Sequence, residues 1–333
     1  MGKACVSQTD RTKYMTETSE SSNFIIHNTT IEPGEHKTIR LPVGELPSGN
    51  KISIRAHVYR STNPGPTVLI LGGVHGDEIN GVEIVRRSVQ KGLFEDLQCG
   101  SVIAIPILNI YGFINFSRAV PDGKDVNRSF PGTTKGSLAS RVARTLTKKI
   151  LPLVDFGIDF HTGGHSHYNY PQIRYSKNDP TAEELAKVFG AKYTLGMKTI
   201  SKSLRKVALD QEKPILVFEG GENLRYDGIS IENGLDGIRR VLHYHDMLSS
   251  APAIPATLHY QQTTWVRASN GGMFLWMKQS GHPVRQGEPL GRINDPFGKE
   301  EDVYIYSPHD GHIIGHNNTP VISPGDALFH IAY

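Results

Sequence analysis

Residues 66–78 read PTVLILGGVHGDE, an apolar run that ends in two glycines and a short polar cluster. The stretch that follows, INGVEIVRRSVQKGLF (79–94), has Ile79, Val82 and Val85 at roughly helical spacing. A buried strand, a glycine turn and a helix are therefore predicted in succession. This succession is typical of α/β proteins, in which strands alternate with helices around one sheet.

The same pattern continues on both sides of this stretch. Upstream, the β-type runs HKTIRLPVG and NKISIRAHVYRS are separated by PSGN and predict an antiparallel preamble over 35–60. Downstream, further strands are predicted for SVIAIPILN, FGIDFHTGG and PILVFEGGE, and further helices for LASRVARTLTKKILPLV, PTAEELAKVFG and GLDGIRRVLHYHDML. Together they predict an α/β fold with a mixed sheet flanked by helices. We expect this domain to span 1–252, with a polar tail at 1–22.

After the Pro- and Ala-rich linker APAIPATL, the rest of the chain has no convincing helix pattern and contains an internal repeat. Gly287 and Gly325 are 38 residues apart, as are Leu290 and Leu328, whereas Val284 and Val321 are 37 apart. Two similar all-β halves predict a small sandwich of interlocked hairpins over 253–333. The pattern resembles the biotinyl/lipoyl-type barrel-sandwich domain.

A metal site is predicted where the polar residues follow the strands. His75 and Glu78 lie in a glycine-flanked turn after a strand, and can present one imidazole nitrogen and one carboxylate oxygen to the same ion. His161 ends a different predicted strand, and Asp159 can support it from behind. Three protein ligands and an open position are typical of catalytic zinc, so we predict one Zn²⁺ per chain. In the alternative interpretation, Glu78 caps the following helix and His75 fills a polar turn.

Hydrolysis of an amide also needs a base that takes a proton from the attacking water and passes it to the leaving nitrogen. Glu219 follows an apolar strand and precedes two glycines, so its carboxylate is expected at the mouth of the same cleft. Glu219 is therefore the predicted base. If it is only a surface residue, Glu222 takes its place.

The loop RAVPDGKDVNRSFPG (118–132) supplies candidate substrate ligands. Asn127 and Arg128 can grip a carboxylate, because guanidinium offers a planar fork and the amide adds a donor. Arg118 can face the oxygen that becomes negative as water adds, or can simply be solvated.

The loop HTGGHSHYNYPQIRY (161–175) is expected to select the substrate. Tyr170, Gln172 and Arg174 are candidates for its pocket, or else form a strand face. His165 and His167 are further possible metal ligands, or exposed loop residues.

Charge and composition exclude several classes of partner. With 36 basic and 33 acidic residues the net charge is only +3, so the sequence does not indicate a surface that binds nucleic acid or a membrane. No apolar run is long enough to span a bilayer, and the first residues lack the apolar core of a signal peptide, so we expect a cytoplasmic location. Cys5 and Cys99 cannot build a disulfide framework.

The motifs GGVHGDE, the 118–132 loop, the Asp-Phe-His triplet and the Phe-Glu pair occur in an order that resembles the succinylglutamate desuccinylase/aspartoacylase family, relatives of the zinc carboxypeptidases. The resemblance covers about 35–250. It implies a zinc-carboxypeptidase-like sheet and a role for each of these residues: zinc ligation by His75, Glu78 and His161, carboxylate recognition by Asn127 and Arg128, oxyanion stabilisation by Arg118 and acid/base work by Glu219. Within this family, the chain resembles in size the deacetylases of N-acetylated diamino acids, such as N-acetyl-diaminobutyrate, which carry a comparable C-terminal domain.

The leading hypothesis is therefore zinc-dependent hydrolysis of a small N-acylated amino acid by a homo-oligomeric protein. A metallocarboxypeptidase that acts on short peptides would use the same atoms, and a tail domain that roofs the cleft would disfavour it. A non-catalytic binding or carrier protein, in which the β-domain is the working part, would lack stoichiometric zinc.

Overall fold

The computed structural model describes residues 24–46 and 48–333, so the predicted tail at 1–22 lies outside the described residues. The strands of the described chain are β1 (Phe24–Ile26), β2 (Thr29–Ile31), β3 (His36–Glu45), β4 (Lys51–Arg60), β5 (Thr67–Leu71), β6 (Ser101–Ile105), β7 (Phe156–Gly163), β8 (His167–Ser176), β9 (Tyr193–Met197), β10 (Ile215–Glu222), β11 (Leu258–Tyr260), β12 (Thr263–Arg267), β13 (Gly272–Trp276), β14 (Pro283–Val284), β15 (Pro289–Asn294), β16 (Val303–Tyr306), β17 (Gly311–Asn317), β18 (Val321–Ile322) and β19 (Ala327–Ala332). The α-helices are α1 (Ile79–Gln90), α2 (Ile110–Ile114), α3 (Leu138–Lys149), α4 (Pro180–Phe189), α5 (Leu204–Leu209) and α6 (Gly228–Tyr244).

A large mixed sheet organises the molecule, in the order β12-β19-β17-β8-β10-β7-β5-β6-β4-β3. At its centre, β6, β5, β7 and β10 run parallel to one another. The predicted preamble is confirmed, because β3 and β4 form an antiparallel pair that continues the sheet beyond β6. The mixed sheet with flanking helices is confirmed in the same way.

The central strands are buried on both faces, which explains their uninterrupted apolar sequences. Every residue of β5 is buried, and its side chains enter two separate cores in alternation. Val68 and Ile70 pack in the core under α1, α4 and α6, whereas Leu69 and Leu71 pack in the core under α3. Full burial of such a side chain stabilises the fold by about 1.5–3 kcal/mol. The sheet is therefore held rigidly where the polar residues leave it.

Local capping fixes the helices that the sequence predicts. Ser137 accepts a hydrogen bond from the backbone N–H of Ser140 at the start of α3, and Asp179 caps α4 in the same manner. Helix α4 ends at Gly190, whose φ of 73° lies in the left-handed region. The predicted helices at α1, α3, α4 and α6 are confirmed.

The C-terminal segment forms strands only, within the part of the chain described. A four-stranded sheet β16-β15-β13-β18 shares a separate hydrophobic core with β17 and β19 of the large sheet. Leu290 and Leu328 are fully buried in that core, as their repeat positions predict. The third repeat pair was wrong by one residue. Val321 is 67% exposed, whereas Ile322 is buried and lies 38 residues after Val284, the spacing of the other two pairs.

The large sheet continues from the first segment into the second, because β8 pairs antiparallel with β17. The prediction of a loop for residues 161–175 was wrong for most of its length, since these residues form the end of β7 and most of β8. Tyr170, Gln172 and Arg174 belong to β8, which is the alternative that the sequence left open. Among the described helices, none has the length and apolar character needed to cross a membrane.

Candidate active site

Three predicted metal ligands converge at the carboxyl ends of β5 and β7. His75 Nδ1 lies 2.7 Å from Glu78 Oε1, and His161 Nδ1 lies 2.8 Å from Glu78 Oε2. The two Nδ1 atoms are 3.2 Å apart, and all three side chains are nearly fully buried. Glu78 and His161 are 83 positions apart in the sequence, and the parallel pairing of β5 with β7 brings them together.

Glycines allow the turn that carries His75 and Glu78 to pack closely. A Cβ atom at Gly76 would lie 1.9 Å from the carbonyl carbon of Gly112 in α2. A Cβ atom at Gly81, in the first turn of α1, would lie 2.4 Å from the carbonyl oxygen of Phe160. A larger residue at Gly76 would push the turn away from α2, and one at Gly81 would push α1 away from β7, so either would displace the side chains of His75 and Glu78.

The second nitrogen of each imidazole faces a carboxylate. His75 Nε2 lies 3.2 Å from Asp125 Oδ1, and His161 Nε2 lies 2.8 Å from Asp159 Oδ2. Each carboxylate accepts an Nε2–H, so each Nδ1 can offer its lone pair to an ion. Two imidazole nitrogens and one carboxylate form a donor set that suits zinc, and the three residues therefore fit a divalent metal.

The charges within this cluster oppose the effect of burial. Burial alone would lower the pKa of His75 and of His161, but Glu78 and the carboxylates behind the rings raise both above the usual value. Burial would likewise raise the pKa of Glu78, yet the two imidazoles hold it well below its usual range. Glu78 is thus ionised at neutral pH, as a metal ligand must be.

Arg118 lies directly beside the cluster. Its Nη1 is 3.1 Å from Glu78 Oε1, and its Nη2 donates to Asp125 Oδ2 at 3.0 Å. Asn109 caps α2 and donates to the backbone carbonyl of Arg118 at 3.2 Å. The guanidinium is thus held against the cluster of His75, Glu78 and His161.

Asp125 is a functional candidate that the sequence reasoning missed. It contacts both His75 and Arg118, and these cations together with a hydrogen bond from the Asn127 backbone lower its pKa against the opposing effect of burial. Its position in the loop beside the Asn-Arg pair was the available signal. Asp125 thus contacts the predicted metal ligand His75 and the predicted oxyanion ligand Arg118 at the same time.

We expect Asp125→Asn to reduce zinc affinity or turnover about 10–100-fold, because residues behind metal ligands contribute on that scale. Zinc content after dialysis and kcat/KM would measure the two effects. The matched control is Asp122→Asn, an exposed aspartate of the same loop. Unchanged zinc retention and turnover in the Asp125 variant would contradict the role.

The predicted carboxylate-binding pair lies on the cleft wall, in a single 3-10 turn over Val126–Arg128. Asn127 Oδ1 accepts a hydrogen bond from the backbone N–H of Leu204 at 2.9 Å, so its amide NH₂ is the end left for a ligand. Arg128 is exposed and donates from Nη1 to the backbone carbonyl of Asn127 at 2.8 Å. Both side chains remain available to a substrate carboxylate.

Glu219 also lines the cleft, and it sits opposite His161 in the parallel pairing of β10 with β7. Its Oε1 lies 3.1 Å from Arg174 Nη1, and its Oε2 accepts from Asn169 Nδ2 at 2.9 Å. Glu222, the alternative base, is not among the described residues that line the cleft, and its Oε2 accepts a hydrogen bond from Asn318 at 2.7 Å. The geometry favours Glu219 for the base.

The remaining candidates on β8 separate into two groups. Arg174 lines the cleft, whereas Tyr170 lies away from it, 5.6 Å from the ring of Tyr193 and against the backbone of Gly281. Gln172 is fully buried and donates to the carbonyl of Ile314. Among the described residues, Tyr170 and Gln172 therefore do not line the cleft.

The two loop histidines line the cleft, but the metal-ligating cluster of the described chain does not include them. His165 is exposed. The two ring nitrogens of His167 lie 3.0 Å from the carbonyl oxygen of Gly164 and 3.1 Å from that of Ala327. These contacts tie the loop to the C-terminal segment.

Two further cleft residues had no signal in the sequence. Arg205, in α5, is 9% exposed, and burial together with repulsion from Arg174 lowers its pKa to about 10. Trp265, in β12, stacks on His330 with ring centroids 4.2 Å apart. They join a cleft of about 360 Å³ that includes residues from both segments of the chain. Only the tertiary fold shows that they belong there.

Comparison with known proteins identifies the family of the chain. The family model of the succinylglutamate desuccinylase/aspartoacylase catalytic domain matches residues 64–245, more than half of the chain. The N-alpha-acetyl-L-2,4-diaminobutyric acid deacetylase of Halomonas elongata is 28% identical over 278 residues, which cover 78% of this chain and 80% of the relative.

Two solved structures resemble the whole fold. A succinylglutamate desuccinylase/aspartoacylase from Rhodobacter sphaeroides is 26% identical with a TM-score of 0.80, over 89% of this chain and 94% of that one. The product-bound ectoine utilization protein of Ruegeria pomeroyi is 23% identical with a TM-score of 0.81, over 90% and 94% of the two chains, and shows the shared fold alone. With the matched family model, these findings show that the chain belongs to the succinylglutamate desuccinylase/aspartoacylase family.

Proposed function

We propose that this protein hydrolyses the amide bond of a small N-acyl amino acid at one Zn²⁺ held by His75, Glu78 and His161, and releases a carboxylate and the free amino acid. The observation that carries the proposal is the convergence of the three ligands, with the Nε2 of each imidazole engaged by a carboxylate. Membership of a family that includes N-acyl amino acid deacylases supports it.

In this proposal the chain binds the substrate at two points. Asn127 and Arg128 hold the α-carboxylate, because they offer an amide NH₂ and a guanidinium fork on the same wall. Arg118 donates to the carbonyl oxygen as negative charge develops there. Bound zinc would polarise that carbonyl and acidify a water molecule.

Glu219 carries out the proton transfers. It accepts a proton from the attacking water as the new C–O bond forms, and it gives that proton to the nitrogen as the C–N bond breaks. The products are a carboxylate and an amine, so the single water molecule balances the reaction.

The shape of the cleft supports a small substrate over a peptide. Trp265 and Ala327 of the C-terminal segment line a cavity of about 360 Å³ together with the metal ligands, within the usual range for a small-molecule pocket. We propose that this segment, 253–333, is a barrel-sandwich domain attached to the hydrolase domain at 1–252. The part of the cleft wall that this segment forms would exclude the extended peptide that a carboxypeptidase must admit.

That the protein forms a homo-oligomer stays a prediction.

A substrate panel tests this function. N-acetyl and N-succinyl amino acids, a dipeptide and a longer peptide would be assayed with the purified protein, with and without a chelator. We expect turnover of an N-acyl amino acid, its loss on metal removal and its recovery on addition of Zn²⁺, with no cleavage of the longer peptide.

Three results would count against the proposal. Turnover that survives complete removal of metal would exclude the zinc mechanism. Equal cleavage of the longer peptide would favour the metallocarboxypeptidase. Absence of both turnover and stoichiometric zinc would instead favour a non-catalytic binding protein.

A further inference from the structure

Two side chains of the neighbouring strand β8 hold the carboxylate of Glu219. Nη1 of Arg174 lies 3.1 Å from its Oε1, and Nδ2 of Asn169 donates to its Oε2 at 2.9 Å. In the antiparallel pairing of β8 with β10, Asn169 lies opposite Gly221, and the register shifts between Glu219 and Gly221. A bulge of this kind changes the direction of the side chains beside it. The direction of the Glu219 carboxylate therefore depends on its contacts with β8.

Asn169 also contacts the C-terminal segment. It is 5% exposed, and on the side of β8 away from β10 it lies opposite Gly315 of β17. A Cβ atom at Gly315 would lie 2.8 Å from Oδ1 of Asn169, which is too close for a carbon atom. The nearest backbone atom, the carbonyl oxygen of Tyr168, would be 3.3 Å away. The amide of Asn169 therefore occupies space that is open only because residue 315 is a glycine.

The two ends of this amide group have different neighbours. Nδ2 faces the carboxylate of Glu219, and Oδ1 faces Gly315. Because the amide is rigid and planar, a displacement of Oδ1 also displaces Nδ2, the atom that contacts the proposed base. Asn169 lines the cleft, whereas Gly315 is not among the described residues that do so. A residue of the C-terminal segment can thus affect the position of the base from outside the cleft.

We propose that Asn169 is a positioning residue that holds the carboxylate of Glu219 in the orientation needed for proton transfer, and that Gly315 leaves the space that keeps Asn169 in place. This inference rests on the proposed function, in which Glu219 is the base. A general base must lie within hydrogen-bond reach of the water that it deprotonates, so a small rotation of the carboxylate lowers the rate. Asn169 is neutral, so it orients the carboxylate without adding a charge to the cleft.

Asn169→Ala is expected to lower kcat about 10–100-fold and to leave KM within about twofold, because Asn169 contacts the base and is not assigned to the substrate. Alanine keeps the backbone pairing of β8 with β10 and β17. In the Glu219→Gln background, the same substitution should change kcat by less than about twofold, because no base is left to orient. An equal loss of kcat in both backgrounds would indicate a purely structural role and would overturn the inference.

Gly315→Ala tests the contribution of the C-terminal segment. It is expected to lower kcat about threefold or more, because the added methyl group displaces the end of the Asn169 side chain. In the Asn169→Ala background it should change kcat by less than about twofold, since no amide is left to displace. The matched control is Gly271→Ala in the same segment, where the nearest atoms to an added Cβ lie at 3.4 Å, an ordinary contact distance. This control should keep the kcat of the wild-type protein.

The outcomes distinguish this inference from the proposed function. Loss of kcat in Glu219→Gln with full kcat in Asn169→Ala would overturn the role of Asn169 and leave the proposed function standing, and full kcat in Gly315→Ala would overturn the role of Gly315. Zinc content and circular dichroism would show that each variant is folded.

If the protein hydrolyses no substrate of the panel, the proposed function fails, and NMR spectra of isotope-labelled protein test the contacts without turnover. The side-chain amide signals of Asn169, identified by their loss in Asn169→Ala, should shift in Glu219→Gln and in Gly315→Ala but not in Gly271→Ala. Unchanged signals in Glu219→Gln or in Gly315→Ala would overturn the inference.

Discussion

Replacing Glu219 with Gln is expected to lower kcat by about 10²–10⁴, the usual contribution of a general acid and base, while the zinc content stays near one per chain. Glutamine keeps the shape of the side chain and an oxygen that Asn169 can reach, but it cannot carry the proton between water and the leaving nitrogen. Steady-state kinetics on the best substrate of the panel and elemental analysis of the same preparation would measure both quantities.

Glu222→Gln is the matched control, since Glu222 belongs to the same strand and is hydrogen-bonded to Asn318. It should leave kcat within about twofold, because surface changes away from the reacting atoms have small effects. A large loss in this variant and none in Glu219→Gln would transfer the role of base to Glu222. If both variants kept the kcat of the wild-type protein, neither carboxylate would be the base.

His161→Ala is expected to abolish stoichiometric zinc binding and turnover together. The substitution removes one of three ligands and leaves Glu78 and Asp159 without the imidazole that lies between them. Loss of one partner from a buried charged pair costs about 3–5 kcal/mol, so the free energy of unfolding should also fall. Elemental analysis and urea denaturation would measure the two effects.

The comparison variant for zinc content is His165→Ala, which removes an exposed histidine of the loop that follows. It should retain about one zinc per chain, because His165 is not part of the ligand cluster. A His161→Ala protein that kept its full zinc content would exclude His161 from the metal site.

The sequence was sufficient where a local pattern determines a global position. An uninterrupted apolar strand followed by a glycine turn predicts a central parallel strand, and the carboxyl ends of such strands meet at one edge. This rule placed Glu78 beside His161 without any knowledge of the residues between them, and the structure brings these side chains together. Roles of the individual site residues stay predictions until they are tested.

The sequence was insufficient where burial and pairing come from distant parts of the chain. Strand β8 pairs with β10 on one side and with β9 and β17 on the other. Because both of its faces carry buried side chains, its sequence shows no simple alternation of apolar and polar residues. Tyr170 was consequently assigned to the substrate pocket, although it packs on Tyr193. Arg205 and Trp265 reach the cleft only through α5 and β12, which carry no catalytic motif.

The pairing of β8 with β17 has a consequence for engineering the chain. A version shortened at residue 252 would leave the backbone amides and carbonyls of β8 bare at Asn169 and His167, and an unprotected strand of this kind recruits other chains into aggregates. Gln172 would lose its acceptor at Ile314, and Trp265 would be missing from the cavity wall. The C-terminal segment 253–333 thus supplies part of the large sheet and part of the cleft wall. Replacing it with a different module would require a new partner strand for β8 and a new wall for the cleft.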